Sequence, residues 1–416
     1  MILITYLKCQ KKMKYINNIF TVEKSRLTKI IEKFETPIFC YSEKKINENI
    51  SNFKRSFKSF SPIICFSTKS NCNLEILKLI RRSGLGADVV SKGELMIALK
   101  AGINSKKIVF SGVGKTRSEL IYAVDKNILL INCESKSEIL EIESIAKSKN
   151  KKVNIGIRLN PNTDAKTIKQ ISTGKKENKF GVSEKTFIEV SKYIKNSKFL
   201  NLKCLSVHIG SQILDHKPYQ KMLNVIDKLI KKINFNFEYI DLGGGMGIDY
   251  NKDNKKFNYK KYNQIIKKFL KKHKSKIVFE PGRSIIGDTA ILISKIIYIK
   301  ENSKKDFIIM DAAMNDFMRP ALYGAKHKII PLKKTNKMTK KSYDFVGPIC
   351  ETTDKFLTTN KFQKLNEKDY IIICDVGAYG SSLSSNYNIR PKPAEILIKG
   401  SKISVIKKRQ KLKEII

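Results

Sequence analysis

The sequence predicts an α/β protein in two parts, a closed (β/α)8, TIM-like barrel and a mainly antiparallel β domain built from the N-terminal and C-terminal segments. Between about residues 62 and 283, short β-branched runs alternate with amphipathic stretches of helical period. After Gly287 the runs stay strand-like with few helical stretches between them. The chain of 416 residues is long enough for a large barrel and a second, smaller domain.

Eight apolar runs are the expected barrel strands: Ile63 to Ser67, Ala87 to Ser91, Ile108 to Ser111, Ile128 to Cys133, Val153 to Leu159, Leu202 to Ile209, Phe237 to Leu242 and Lys276 to Glu280. Helical stretches separate most of them, including Leu74 to Arg82, Glu94 to Lys100, Ser137 to Lys147, Tyr219 to Lys232 and Tyr262 to Lys272. Eight strands joined by helices favour a closed barrel, although an open doubly wound sheet has a similar pattern.

The β domain is expected from five C-terminal runs: Ile291 to Ile299, Phe307 to Met310, Tyr370 to Cys374, Ile396 to Ile398 and Ile403 to Ile406. The early run Pro37 to Tyr41 is expected to join the same sheet, because chain termini often lie together. The predicted division is an extension outside the core in residues 1–12, an N-terminal segment of the β domain in 13–46, the barrel in 47–288 and the remaining β domain in 289–416.

The charge balance does not indicate a nucleic-acid-binding protein. The chain has 82 Lys and Arg against 38 Asp and Glu, a formal net charge of +44. The lysines are spread along the chain, and pairs such as Lys260 and Lys261 alternate with apolar residues as on a solvated helix face. A nucleic-acid groove would instead need clustered Arg and exposed aromatics.

The other bulk features favour a cytoplasmic protein without a metal site. Eight Cys without a C-x-x-C pair and only four His do not form a zinc framework, and free thiols fit a reducing compartment. The apolar run Met1 to Leu7 is too short for a signal-peptide core, and no window is long enough to span a bilayer.

Four strand ends carry the residue types of a cofactor site. Lys69 follows the first strand, and barrel active sites lie at this end of the strands, where a lysine can form a Schiff base. Gly243 to Gly247 follow the seventh strand, and Glu280 to Arg283 follow the eighth. Loops after these two strands often bind phosphate through backbone N–H groups, and an arginine adds a cationic fork. His208 and Ser211 follow the sixth strand on the same face.

The C-terminal part adds polar groups that a plain β domain does not need. Arg319 and Tyr323 lie four residues apart and can clamp a carboxylate, and the Cys350 thiol stands beside Glu351 as a candidate proton donor. Taken singly, Arg319 is also compatible with a surface ion pair and Cys350 with a small buried apolar residue.

With these residues assembled, the chain resembles the barrel-type pyridoxal phosphate decarboxylases (fold type III) over about residues 13 to 412. The segments Phe66 to Asn71 and Gly84 to Ser91 match the family motif around the cofactor lysine and the family's second strand. The resemblance implies that pyridoxal phosphate is bound covalently to Lys69, that His208 stacks on its ring and that Glu280 faces its nitrogen. The implied cofactor-binding residues are Lys69, Asp88, His208, Ser211, Gly243, Gly244, Gly245, Glu280, Pro281, Gly282, Arg283 and Tyr379.

The resemblance also implies the reaction, the substrate contacts and the assembly. The implied substrate-binding residues are Arg283, Arg319, Tyr323, Glu351 and Tyr379, with Cys350 as the proton donor. The implied reaction converts meso-2,6-diaminopimelate to L-lysine and carbon dioxide, because Arg319 and Tyr323, with Arg283, can hold a distal carboxylate. Ornithine, arginine and carboxynorspermidine decarboxylases are the alternatives within the family, and a non-catalytic pyridoxal phosphate-binding regulator is an alternative of another class. The family's cysteine loop reaches the partner's cofactor, so a homodimer with shared active sites is expected.

The departures from the family pattern are modest. Lys92 and Lys326 stand where a glycine and an aromatic residue are usual, which changes the local charge. Ser67 and Ser70 replace small alanines, and residues 352–353 are Thr-Thr instead of Ser-Gly. None of these changes removes a group that the chemistry requires.

Overall fold

The computed structural model describes residues 13–165, 167–250 and 255–416, so the extension expected in residues 1–12 lies outside the described residues. The chain forms two compact units. One contains residues 13–49, 249–250 and Ile286–Ile416, and the other contains Ile50–Ile248 and residues 255–285. The sequence predicted the divisions at residues 46 and 288 and did not predict that residues 249–250 leave the barrel unit.

The second unit is built on a closed barrel of parallel strands, which confirms the predicted fold class. Its eight strands in the described residues are Ile63–Ser67, Gly86–Val89, Ile108–Phe110, Leu130–Cys133, Val153–Arg158, Leu200–Ser206, Tyr239–Asp241 and Lys276–Phe279. They follow one another around the barrel in chain order, and the eighth pairs with the first. All eight carboxyl ends therefore meet at one end of the barrel.

Helices connect the strands and bury one apolar face each. The longer helices of the chain are Glu43–Phe57, Leu74–Arg82, Lys92–Lys100, Arg117–Asp125, Lys136–Ser148, Glu184–Lys195, Lys217–Ile233 and Tyr259–Leu270. The sequence predicted five of them to within three residues at each end. Two that it did not name begin at caps that the sequence already contains. Ser183 Oγ accepts the N–H of Thr186, and Thr116 forms a capping box with Glu119.

The first unit contains a mixed, mainly antiparallel sheet that combines both termini, as predicted. The strand Ile38–Ser42 lies between Ala290–Lys300, to which it is antiparallel, and Ala394–Lys399, to which it is parallel. The other strands of the sheet are Lys305–Met310, Ile329–Pro331, Ser342–Val346, Lys355–Thr359, Tyr370–Cys374 and Lys402–Lys407. A separate small sheet is formed by Met13–Ile16, Ile19–Val22 and Ser25–Arg26.

The apolar side chains of this sheet form one buried cluster. Ile38 and Cys40 pack with Ile291, Ile293 and Ile396, and the small N-terminal sheet contributes further apolar side chains to the same cluster. The short helix Arg319–Tyr323 ends at Gly324, whose φ of +61° favours glycine. In the described part of the chain, no helix combines the length and the apolar character needed to cross a membrane.

Candidate active site

Lys69 lies just past the first barrel strand, in a single 3₁₀ turn formed by residues 68–70. Its Nζ lies 3.1 Å from Oδ2 of Asp88, which lies in the second strand and is fully buried. The hydroxyl of Ser67 donates to the same oxygen at 2.8 Å. Among the described residues, Asp88 Oδ1 has no hydrogen-bond partner. The Asp88 carboxylate therefore orients Lys69 and keeps one buried acceptor for a further donor.

Three buried carboxyl groups lie together inside this end of the barrel. Burial raises the pKa of Glu280 well above its usual range, and the charges of Asp241 and Asp88 raise it further, while Lys69 lowers it. Burial likewise raises the pKa of Asp241. The Ser111 hydroxyl donates to Glu280 at 3.2 Å. A protonated Glu280 is favoured until a cationic group comes close to it, so the cluster suits the positive end of a ligand.

The glycines after the seventh strand have no room for a side chain. Gly243 and Gly245 have φ angles of +62° and +91°. A Cβ on Gly243 would lie 2.5 Å from Nδ1 of His208, and one on Gly244 would lie 2.1 Å from the carbonyl oxygen of Glu280. The loop must therefore be glycine, and its backbone can approach an anion closely.

Arg283 places a cationic group next to this loop. It begins the helical turn Arg283–Ile286 after the eighth strand, is buried, and donates through Nη2 to Ser211 Oγ at 3.0 Å. The carbonyl of Pro281 accepts the N–H of Ser67 at 3.1 Å, and a Cβ on Gly282 would lie 2.9 Å from Ser70. These contacts join the ends of the first, sixth and eighth strands. A guanidinium beside glycine N–H groups suits a phosphate.

His208 is neutral. Burial lowers the pKa of His208 well below its usual range, and the positive charges of Arg158 and Lys69 lower it further. Its Nδ1 accepts the N–H of Gly244 at 3.2 Å, so the proton resides on Nε2. A neutral imidazole fixed by a backbone hydrogen bond offers a flat face for an aromatic ring.

A buried ion pair beside His208 was not predicted. Arg158 donates to Glu134 at 2.8 Å and to the carbonyl of His208 at 3.4 Å. Glu134 also accepts the N–H groups of Gly112 and Gly181. Arg158 ends the fifth strand and Glu134 follows the fourth. A charged residue at the end of a buried strand is therefore the sequence feature that could have indicated this ion pair.

Arg319 and Tyr323 lie in the short helix of the first unit. Arg319 is buried, and its Nε donates to Nε2 of His327 at 3.3 Å. Its guanidinium lies 5.0 Å from the ring centre of Tyr250. Tyr323 is partly exposed. Because Arg319 is buried, it is not the surface residue that its alternative required.

Cys350 and Glu351 lie in an exposed turn of the same unit, so Cys350 is not the buried apolar residue that was its alternative. The hydroxyl of Tyr387 donates to Glu351 at 2.8 Å. The buried carboxylate of Asp354 closes the turn by accepting the N–H of Ile349 at 2.9 Å. Burial raises the pKa of Asp354 to about 6.

Three further residues singled out from the sequence are Tyr379, Lys92 and Lys326. Tyr379, in the first unit, has a φ of +54°. The ammonium of Lys92 lies 5.4 Å from the ring centre of Tyr122, and the backbone N–H of Lys92 donates to Glu119. Lys326 is exposed. The structure therefore brings the predicted barrel residues together at one end of the barrel and places the other five predicted residues in the first unit.

Comparisons with known proteins agree with this geometry. The family model described as "Pyridoxal-dependent decarboxylase, pyridoxal binding domain" matches residues 43–287. The chain is 39% identical to diaminopimelate decarboxylase of Aquifex aeolicus (96% of this chain, 95% of the relative) and 43% identical to that of Helicobacter pylori strain J99 (93% and 96%). It is similar to two solved structures of diaminopimelate decarboxylase bound to L-lysine. The one from Helicobacter pylori has a TM-score of 0.90 at 42% identity (94% and 98% covered), and the one from M. jannaschii has a TM-score of 0.92 at 34% identity (98% and 97%).

Proposed function

Because the chain belongs to the pyridoxal-dependent decarboxylase family, we propose that it decarboxylates meso-2,6-diaminopimelate to L-lysine. The observation that carries this proposal is the convergence of Lys69, the buried carboxyl cluster and the glycine loop at one end of the barrel. Two relatives that match 96% and 93% of this chain, and a solved structure that covers 94% of it, carry the same activity in their names.

The cofactor is pyridoxal phosphate, and the residues at the barrel end fit it. Its phosphate would be held by Gly243 to Gly245, Gly282, Ser211 and Arg283, together with Tyr379. Its ring nitrogen would face Glu280, and His208 would lie against the ring. When bound, the cofactor supplies an aromatic ring that accepts the electron pair left by departing carbon dioxide.

The side chains of this protein bind the cofactor and the substrate, orient them and supply a proton. Lys69 would hold the cofactor covalently, and Asp88 lies 3.1 Å from the free Lys69 amine and orients it. A cationic ring nitrogen would reverse the raised pKa of Glu280, so that Glu280 binds as a carboxylate. Cys350 donates the proton that replaces the carboxylate on the substrate carbon. The substrate contacts are Arg283, Arg319, Tyr323, Glu351 and Tyr379.

The substrate assignment is tested with a panel of amino acids. Purified holoenzyme is incubated with meso-diaminopimelate, ornithine, arginine and carboxynorspermidine, and released carbon dioxide is measured. We expect the highest kcat/KM for meso-diaminopimelate, because ornithine and arginine have no distal carboxylate for a buried arginine to meet. Preferred turnover of ornithine would contradict the proposal. Bound cofactor without release from any substrate would favour the non-catalytic regulator.

We also propose that the enzyme is a homodimer in which Cys350 serves the cofactor on the partner's Lys69. The exposed position of Cys350 in its own subunit supports this arrangement.

Shared sites predict that two inactive variants complement each other in a heterodimer. A heterodimer of Lys69→Ala and Cys350→Ala subunits, isolated through two different tags, has one complete site and should show about half of wild-type activity. Each variant homodimer is the control, and a heterodimer as inactive as both homodimers would contradict sharing.

We place the enzyme in the cytoplasm. The seven cysteines in the described part of the chain carry free thiols, which is typical of a reducing compartment. Nucleic acid and membranes are not expected partners.

A further inference from the structure

His327 lies inside the first unit, against the arginine that the proposed function assigns to the substrate. Only 3% of the residue is exposed. Its ring packs edge-on between Phe317 and Tyr250, with centroid distances of 4.7 and 4.9 Å. A buried histidine between two aromatic rings has a fixed ring plane, so its two nitrogens point in defined directions.

The partners of the two nitrogens determine the tautomer. Nδ1 lies 2.9 Å from the carbonyl oxygen of Cys374, and a carbonyl oxygen only accepts, so Nδ1 carries the proton. Nε2 therefore has a lone pair, which accepts the Nε–H of Arg319 at 3.3 Å. The tautomer that pairs with Cys374 is thus the one that can accept from an arginine.

In the described part of the chain, two contacts help to orient Arg319 before any ligand arrives. The hydrogen bond to His327 anchors its Nε, and the ring of Tyr250, 5.0 Å from the guanidinium carbon, lies against the guanidinium. An anchored edge and a supported face set the plane of the guanidinium fork. A fork that is already oriented loses less conformational entropy when it binds a carboxylate.

We propose that His327 is a positioning residue that orients Arg319 for the distal carboxylate of the substrate. This inference rests on the proposed function, which assigns that carboxylate to Arg319. L-Lysine, the product, retains the distal carboxylate, whereas 1,5-diaminopentane has the same chain without it. The preference of the enzyme for L-lysine over 1,5-diaminopentane therefore reports carboxylate recognition separately from catalysis.

Two amide substitutions separate the two hydrogen bonds of the His327 imidazole. In His327→Gln the amide oxygen lies near the position of Nε2, so the acceptor for Arg319 is kept. In His327→Asn the amide nitrogen lies near the position of Nδ1, so the bond to Cys374 is kept and the acceptor for Arg319 is lost. Each variant loses one buried hydrogen bond, which matches them as structural perturbations.

The experiment titrates each holoenzyme with L-lysine and with 1,5-diaminopentane and follows the visible absorbance of the bound cofactor. In His327→Asn we expect the preference for L-lysine to fall about tenfold, with KM for meso-diaminopimelate raised by a similar factor and kcat nearly unchanged. In His327→Gln the preference should stay within about threefold of wild type. Because the preference is a ratio within one protein sample, it does not depend on the folded fraction.

The outcomes separate this inference from the proposed function. An unchanged preference in His327→Asn, or equal losses in both variants, overturns the positioning role. A wild-type enzyme that binds L-lysine no better than 1,5-diaminopentane also overturns it. Failure to release carbon dioxide from meso-diaminopimelate overturns the proposed substrate, while the ligand titration still decides whether His327 orients a carboxylate-binding arginine.

Discussion

Replacing Lys69 with alanine is expected to abolish carbon dioxide release and to remove the visible absorbance of the lysine-bound cofactor. The amine that holds the cofactor is lost, and the Ser67 and Asp88 groups around it cannot form that covalent bond. The rate should fall on the order of 10³-fold or more, as for other groups that act covalently. Absorbance spectra of the purified variant and a carbon dioxide assay measure both effects.

Lys78→Ala is the matched control for this substitution. The side chain of Lys78 is 39% exposed, like that of Lys69, and it also pairs with a carboxylate, Glu75, at 2.7 Å. Its removal should change neither the absorbance nor the rate, because the pair lies on a helix surface. A Lys69→Ala enzyme that keeps the absorbance of a lysine-bound cofactor would show that another lysine is the attachment site.

The barrel could be predicted from the sequence because its strands are buried and its connections are regular. The barrel strand Ile63–Ser67 has the bounds that the sequence indicated, and so does Tyr370–Cys374 in the β domain. The strands Ser342–Val346 and Lys355–Thr359 were not named, because Ser, Asp, Lys and Thr interrupt their apolar character. Strands of this kind are stabilised by their neighbours in the sheet, which a local pattern does not contain.

The site likewise contains features that the sequence indicated and contacts that it did not. The strand-end position of Lys69 and the glycine run are local features, so the sequence indicated them. The bond from Asn132 to Asp241 joins residues 109 positions apart, at 2.8 Å across the interior of the closed barrel. The pair of Arg158 with Glu134 likewise depends on which strands are neighbours. Polar networks of this kind follow from barrel closure and become visible only in the folded structure.

Glu280→Gln is expected to slow decarboxylation by about 10²–10³-fold, the usual loss when one preorganised electrostatic group is removed. Glutamine has nearly the same shape, and its amide oxygen can accept the hydrogen bond that Ser111 donates to Glu280. It cannot carry the negative charge that keeps a bound ring nitrogen protonated. The loss should therefore appear in kcat, with cofactor binding reduced less. A rate close to that of wild type would contradict the role of Glu280.

The same substitution should reduce the loss of stability that the cofactor-free enzyme shows as pH rises. Burial, Asp241 and Asp88 raise the pKa of Glu280 in the folded protein, whereas the unfolded chain has an ordinary carboxyl pKa of about 4.3. The folded state thus binds a proton that the unfolded state has released, and its stability falls as pH rises toward the raised pKa. Glutamine never ionises, so the melting temperature of cofactor-free Glu280→Gln should decline less between pH 5 and pH 8 than that of wild type.

Glu189, an exposed carboxylate paired with Lys136, is the control, because Glu189→Gln removes no buried charge. If the melting temperatures of Glu280→Gln and wild type decline equally across this pH range, Glu280 is not buried against other carboxylates. A gain in cofactor-free stability together with a loss of kcat is the combination expected of a carboxylate placed to meet a cation that arrives with the cofactor.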